Sequence, residues 1–304
     1  MLPQAKGREL RWIVSLLVST VVLSLVLCHS AALVQPQPQF PTFPAFVPPP
    51  IAAKQEINNT DTFEAEDKRN LVRILKEASL KDKKTVIVTM MNQAWAEPNS
   101  TFDVFLEGFF SGERTELLLR HLVVVCLDDN AYAECLEDMD TVWLRDPFPR
   151  LVEGVDFQIA CEFFFNGNFS DRGNSANGGF KYVTANNRTI DFYNYWYESR
   201  LRFPGKNDQD VLNRIKGDQY VETIGLTIRF LDTNDVGSFC QQNWDITKVC
   251  VMHGNCCIGQ DNKIMDLRQV LRDWTIFYSY WDLKREFRQP LNCRNSFLLN
   301  LSLS

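Results

Sequence analysis

The chain has 304 residues, room for roughly two domains at about 150 residues each. Hydrophobic residues at 45% and charged residues at 23% exclude wholesale disorder. Thirty-two basic against 38 acidic residues leave a net charge of −6, which excludes nucleic acid as a partner, because phosphate neutralisation needs a basic surface.

Residues 1–11 read as a short polar tail carrying Lys6, Arg8 and Arg11. Residues 12–34 contain no charge, and at about 1.5 Å per helical residue this span covers a bilayer core of about 30 Å. Basic residues precede it and none follows until Lys54, so the N-terminus should stay cytosolic. A cleaved signal peptide ending near Ser30-Ala31-Ala32 competes with this reading. The uncharged run from Trp12 to Cys28 exceeds the usual apolar core of about 7–15 residues, which favours an uncleaved signal-anchor. Residues 35–65 read as a stem, with seven prolines among the sixteen residues from Gln35 to Pro50 favouring an extended rod. The layout is that of a single-pass type II membrane protein with residues 66–295 as a lumenal domain and 296–304 as a tail.

Glycosylation sequons begin at Asn58, Asn99, Asn168, Asn187 and Asn300, and eight of nine cysteines lie beyond the anchor, compatible with disulfides in an oxidising compartment. Cys256 and Cys257 are adjacent and would strain a mutual bridge, so each should pair with a cysteine such as Cys240, Cys250, Cys293 or Cys161.

The spacing of Leu71, Ile74, Leu75 and Ala78 predicts a helix over 66–78, and the apolar runs 85–91 and 122–127 predict buried strands. Helices are expected at 102–110, 115–119, 189–201, 210–215 and, as the last, 262–274. Further strands are expected at 142–144, 155–161, 180–183 and 226–231. Short strands alternating with helices predict an α/β sheet flanked on both faces, with ligands beyond the carboxyl ends of the strands. No glycine-rich dinucleotide fingerprint or P-loop is present.

Two D-x-D triplets occur, Asp138-Met139-Asp140 and Asp208-Gln209-Asp210. Paired carboxylates two residues apart can present hard oxygens to Mn²⁺ or Mg²⁺, although in an acidic chain a solvated turn is the commoner role. The second triplet opens a helix, so Asn207 or Asp208 could be its cap, or a carboxylate could point from the helix start at a sugar. His253 could complete an oxygen and imidazole site or be a packed residue. Asn177-Gly178-Gly179 would allow close backbone approach to a ligand or form an ordinary turn. Trp196 and Tyr197 fit a helix core better than a sugar platform.

Five segments taken together (92–99, 138–148, 177–180, 208–213 and 252–257) resemble the plant nucleotide-diphospho-sugar transferases of glycosyltransferase family 77. The resemblance implies a GT-A-like, Rossmann-type sheet, a Golgi location, and transfer of xylose, arabinose or galactose from a UDP-sugar to a cell-wall polysaccharide or glycoprotein, with retention of configuration. It makes Asp138, Asp140 and His253 the manganese (or magnesium) ligands, Asp208 and Asp210 the catalytic candidates, and Asn92, Trp95, Asn177, Gly178, Gly179 and Gln209 substrate contacts. This chain departs from the family pattern at Asn207, where many relatives carry His. It also has only nine residues between Asp128 and Asp138, where the family carries a further helix and an apolar strand. Two other outcomes follow from the same residues: a catalytically inactive lumenal partner that keeps the family surface, or transfer of the sugar to water.

Overall fold

A computed structural model describes residues 60–81, 84–91, 100–126, 140–165, 167–242, 244–280 and 286–301. The chain divides at Thr60–Asp61 into two units, and all but the first described residue fall in the second. The tail, the anchor expected at 12–34 and the stem up to residue 59 lie outside the described residues. Among the described residues no helix is long and apolar enough to cross a membrane.

Helix α1 spans Thr60–Ala78, starting earlier than its apolar spacing predicts, and Leu71 and Ile74 remain largely exposed. Strand β1 (Ile87–Met91) pairs in parallel with β2 (Leu122–Cys126). Both were expected to be buried throughout, yet Val88, Met90 and Val125 face water. A two-stranded sheet packs one face only, and Ile87, Leu122 and Val124 supply it.

Helix α2 (Thr101–Ser111) is capped by Ser100, whose Oγ accepts the Phe102 N–H at 3.3 Å. It buries Val104, Phe105 and Phe109 against β3 (Thr141–Trp143), with Phe109 and Trp143 rings 4.8 Å apart. Gly108 permits this approach, since a Cβ there would sit 2.8 Å from the Trp143 nitrogen.

The remaining strands are β4 (Phe157–Phe163), β5 (Ser175–Val183), β6 (Ile228–Phe230), β7 (Val236–Ser238) and β8 (Val251–His253). They form two three-stranded sheets, β5-β4-β6 and β3-β8-β7, each joining one antiparallel and one parallel pair. The architecture is therefore mixed α/β with helices flanking the sheets. Its described strands divide into three sheets rather than the one expected, with β3 and β5 paired antiparallel inside theirs. Strands β7 and β8, at three residues each, are too short to leave a periodic signal.

Helices α3 (Asn187–Ser199) and α4 (Asp208–Ile215) cover the β5-β4-β6 sheet, burying Phe192, Trp196, Val211, Leu212 and Ile215 against Phe157, Ile159 and Phe230. Asp156 locks this half. Its buried carboxylate accepts from Arg188 (2.7 and 3.0 Å), Asn186 Nδ2 (2.8 Å) and Thr227 N–H (3.0 Å). A short helix, α5 (Gln219–Thr223), follows.

Helix α6 (Gln260–Ser279) runs five residues past its expected end and packs Leu267, Val270, Leu271, Trp274 and Phe277 on β3 and β8. A further helix, α7 (Leu291–Leu301), crosses the boundary drawn at 295. Buried Asp266 on α6 accepts the Cys293 N–H at 2.7 Å, and Cys257–Cys293 bonds α7 to the loop after β8. The second bridge is Cys240–Cys256, so the adjacent cysteines do take separate partners, while Cys161 and Cys250 are buried free thiols.

Candidate functional site

Antiparallel pairing of β3 with β8 sets Thr141 opposite His253, so the residue before β3 and the last residue of β8 share one end of the sheet. Asp140 and His253 meet there. His253 Nε2 lies 2.8 Å from Asp140 Oδ1, and Lys263 Nζ, in the first turn of α6, lies 2.6 Å from Asp140 Oδ2. All three side chains are largely buried. Burial pushes the Asp140 carboxyl up, but the charge and hydrogen bond of His253, joined by those of Lys263, outweigh it and hold the group well below the usual carboxylate range.

The backbone behind this pair is fixed. Gly254 N–H donates to Asp140 C=O at 2.7 Å. Two residues on, Asn255 Oδ1 accepts the Phe239 N–H at 2.8 Å and its Nδ2 donates to Ser238 Oγ at 3.0 Å. The two disulfides then tie Cys256 to Cys240 and Cys257 to α7. Strand β5 closes the other side with Gly179, where a Cβ would sit 2.5 Å from the His253 ring. Only glycine lets β5 and the imidazole touch.

From Gly179 the polar groups continue along β5. Gly179 N–H donates to Asn177 Oδ1 (2.8 Å) and Gly178 N–H to Gln209 Oε1 (3.0 Å). Gln209 Nε2 in turn donates to Glu162 Oε1 at 2.8 Å, and Ser175 Oγ donates to Glu162 Oε2 at 3.3 Å. The structure thus brings Asp140, His253, Asn177, Gly178, Gly179 and Gln209 onto one continuous line. Asp208 and Asp210 sit beside it in the first turn of α4, with Asp208 exposed. The cap of that helix is Asn207, which accepts the Asp210 N–H at 2.7 Å. Asn92, Trp95 and Asp138 lie outside the described residues.

Two residues escaped sequence reading. Lys263 carried a signal: a cation in the first turn of a helix opposes the helix dipole unless an anion faces it. Glu162 did too, as a lone carboxylate in the apolar run Phe157–Phe163.

Among the described residues no cluster of three or more His, Cys, Asp or Glu is placed to hold a metal. Asp140 Oδ1 and His253 Nε2, 2.8 Å apart, are an oxygen and an imidazole donor of the kinds that ligate divalent cations, and here they bond directly to each other.

A family model described as nucleotide-diphospho-sugar transferase matches residues 135–267, which contain Asp140, Glu162, Gly178, Gly179, Gln209, His253 and Lys263. Uncharacterized protein At4g15970 of Arabidopsis thaliana is 47% identical over 282 residues, covering 77% of this chain and 76% of that protein. The chain belongs to the nucleotide-diphospho-sugar transferase family. Uncharacterized protein At1g28695 of the same plant is 31% identical over 275 residues, covering 72% of this chain and 82% of the relative. No solved structure matches. The first match also reveals a shortfall: 77% of 304 residues is about 234, against a matched length of 282, so about 48 positions of the match face no residue of this chain. Its size suits the helix and strand expected before Asp138. Family membership supports a glycosyltransferase-type function with a nucleotide-sugar donor and a separate acceptor.

Proposed function

We propose that the protein is a Golgi glycosyltransferase of family 77 with a GT-A-like domain, anchored by residues 12–34, that moves xylose, arabinose or galactose from a UDP-sugar to a cell-wall polysaccharide or glycoprotein with retention of configuration. The observation that carries this reading is the meeting of Asp140, His253 and Lys263 against Gly179. Asp140 and His253, with Asp138, would hold Mn²⁺ or Mg²⁺. When bound, that ion supplies Lewis-acid stabilisation of the departing diphosphate.

The chain's own groups do the rest. Lys263 is a buried-side ammonium positioned to balance phosphate charge. Gly178 leaves a side-chain-free surface on which a sugar can lie, while Gly179 makes room for the His253 ring. Gln209 and Glu162 present an amide and a carboxylate to sugar hydroxyls, and with Asp208 and Asp210 they are the groups able to stabilise positive character at the anomeric carbon. The two disulfides suit a lumenal, oxidising site.

A second reading, an inactive lumenal partner, is favoured by the missing positions of the match. Titration of the full chain with UDP, with and without Mn²⁺, separates the two. Transferase function requires Mn²⁺-dependent UDP binding that Asp138→Ala plus Asp140→Ala abolishes. Absence of UDP binding in the unaltered chain supports the inactive partner, and UDP-sugar cleavage without acceptor supports hydrolysis.

A further inference from the structure

Strand β4 runs into three consecutive phenylalanines, and its register decides which of them face water. Phe157, Ile159 and Cys161 point into the core beneath α3 and α4. Pairing with β5 slips between Cys161 and Phe163, and beyond the slip it is Phe164 that joins that core. Phe163 and Phe165 therefore emerge on the opposite side, 38% and 45% exposed, with near-parallel rings (9°) whose centroids are 6.2 Å apart. A bulge that re-aims side chains is common beside active sites.

Side chains from elsewhere hold this backbone rigid. Gln241 accepts the Phe164 N–H at 2.6 Å and donates to the Phe164 C=O at 3.1 Å. Fully buried Asn174 accepts the Phe165 N–H at 2.7 Å. The ring pair is also continuous with the site described above. Its neighbour Glu162 gives its carboxylate to Gln209 and its C=O to Ser238 Oγ (3.0 Å), and Ser238 pairs with His253.

We propose that Phe163 and Phe165 are a stacking platform for a pyranose unit of the acceptor glycan, an inference that rests on the transferase reading. Two exposed rings on a fixed backbone give flat apolar faces to the C–H face of a sugar, at no ordering cost on binding. The polar group beside them is an acceptor, the Glu162 carboxylate, which suits sugar hydroxyls. Phenylalanine has no N–H or O–H to grip the carbonyls of an extended proline-rich peptide, so the surface fits a glycan and not a peptide backbone.

The test is calorimetric titration of the full chain with xylohexaose and with cellohexaose, beside UDP with Mn²⁺. With two aromatic contacts removed, Phe163→Ala plus Phe165→Ala should weaken binding of one of these oligosaccharides about fivefold or more. UDP binding should be unchanged, and Phe163→Trp plus Phe165→Trp should keep oligosaccharide affinity. Binding of neither oligosaccharide by the unaltered chain, equal binding by the double alanine variant, or ring-dependent binding of a proline-rich peptide in their place would each overturn the platform. Ring-dependent oligosaccharide binding without any UDP binding supports the platform and contradicts the transferase reading, so the two fail separately.

Discussion

His253 and Gly179 are in contact across two different sheets: a single Cβ on residue 179 would lie 2.5 Å from the imidazole that meets Asp140. The glycine is thus the mould for the histidine's position. Gly179→Ala should move His253 off Asp140 and reduce Mn²⁺-dependent UDP affinity sharply. Overpacking of this kind costs about 1–3 kcal/mol, so the variant should still fold. UDP titration together with circular dichroism checks both parts.

Lys263 is the one cation bonded to Asp140 Oδ2 among the contacts described. Lys263→Gln removes its charge and should weaken UDP binding by about 1–3 kcal/mol, as loss of a charge-assisted bond does. Isothermal titration of the variant with UDP measures it. Unchanged affinity would remove the lysine from the diphosphate site.

Asp156 sets a pH dependence of stability remote from that site. The Arg188 hydrogen bonds, opposed by burial and aided by Thr227 and Asn186, hold its carboxyl well below the usual range. A depressed carboxylate contributes stability that is present above its unfolded value of about 4 and is lost as pH falls through the folded value. Asp156→Asn should therefore lower the Tm at pH 7 and flatten its fall between about pH 4 and pH 2. Thermal melts across that range give the comparison.

The Cys240–Cys256 bridge follows His253 by three residues and closes a sequence separation of 16. For a loop near 15 residues, Cys240→Ser plus Cys256→Ser should cost about 3 kcal/mol of stability. Because Asn255 and Gly254 lie between the bridge and His253, UDP affinity should fall as well. Buried Cys161, whose thiol burial pushes up to about 12, should stay unreactive toward disulfide reagents in the folded protein.

Much of the fold was legible where burial imposes a long period. The expected ranges overlap helices α2, α3 and α6 and strands β4 and β5, although each element runs past its expected bounds at one end or both. Of the two strands that carry the site, Thr141–Trp143 answers to the strand expected at 142–144, whereas Val251–His253 left no trace and is recognisable only through the pairing that joins Asp140 to His253. The motif Asp208-Gln209-Asp210 directed attention to its acids, but helix geometry turns Gln209 toward Gly178 and leaves Asp208 in solvent. Rotation about a helix axis cannot be read from a triplet without knowing what the helix packs on. Lys263 was missed because its partner, Asp140, lies 123 residues away.

In the proposed transferase, Asp140 and His253 share one cation that in turn faces a diphosphate. A crystal of the full chain grown with Mn²⁺ and UDP, measured at the manganese absorption edge, tests it directly. The expected result is an anomalous peak bonded to Asp140 and His253 with the UDP phosphates beside Lys263. A peak bound elsewhere, or UDP seated away from Gly179 with the Asp140–Lys263 pair undisturbed, would contradict it.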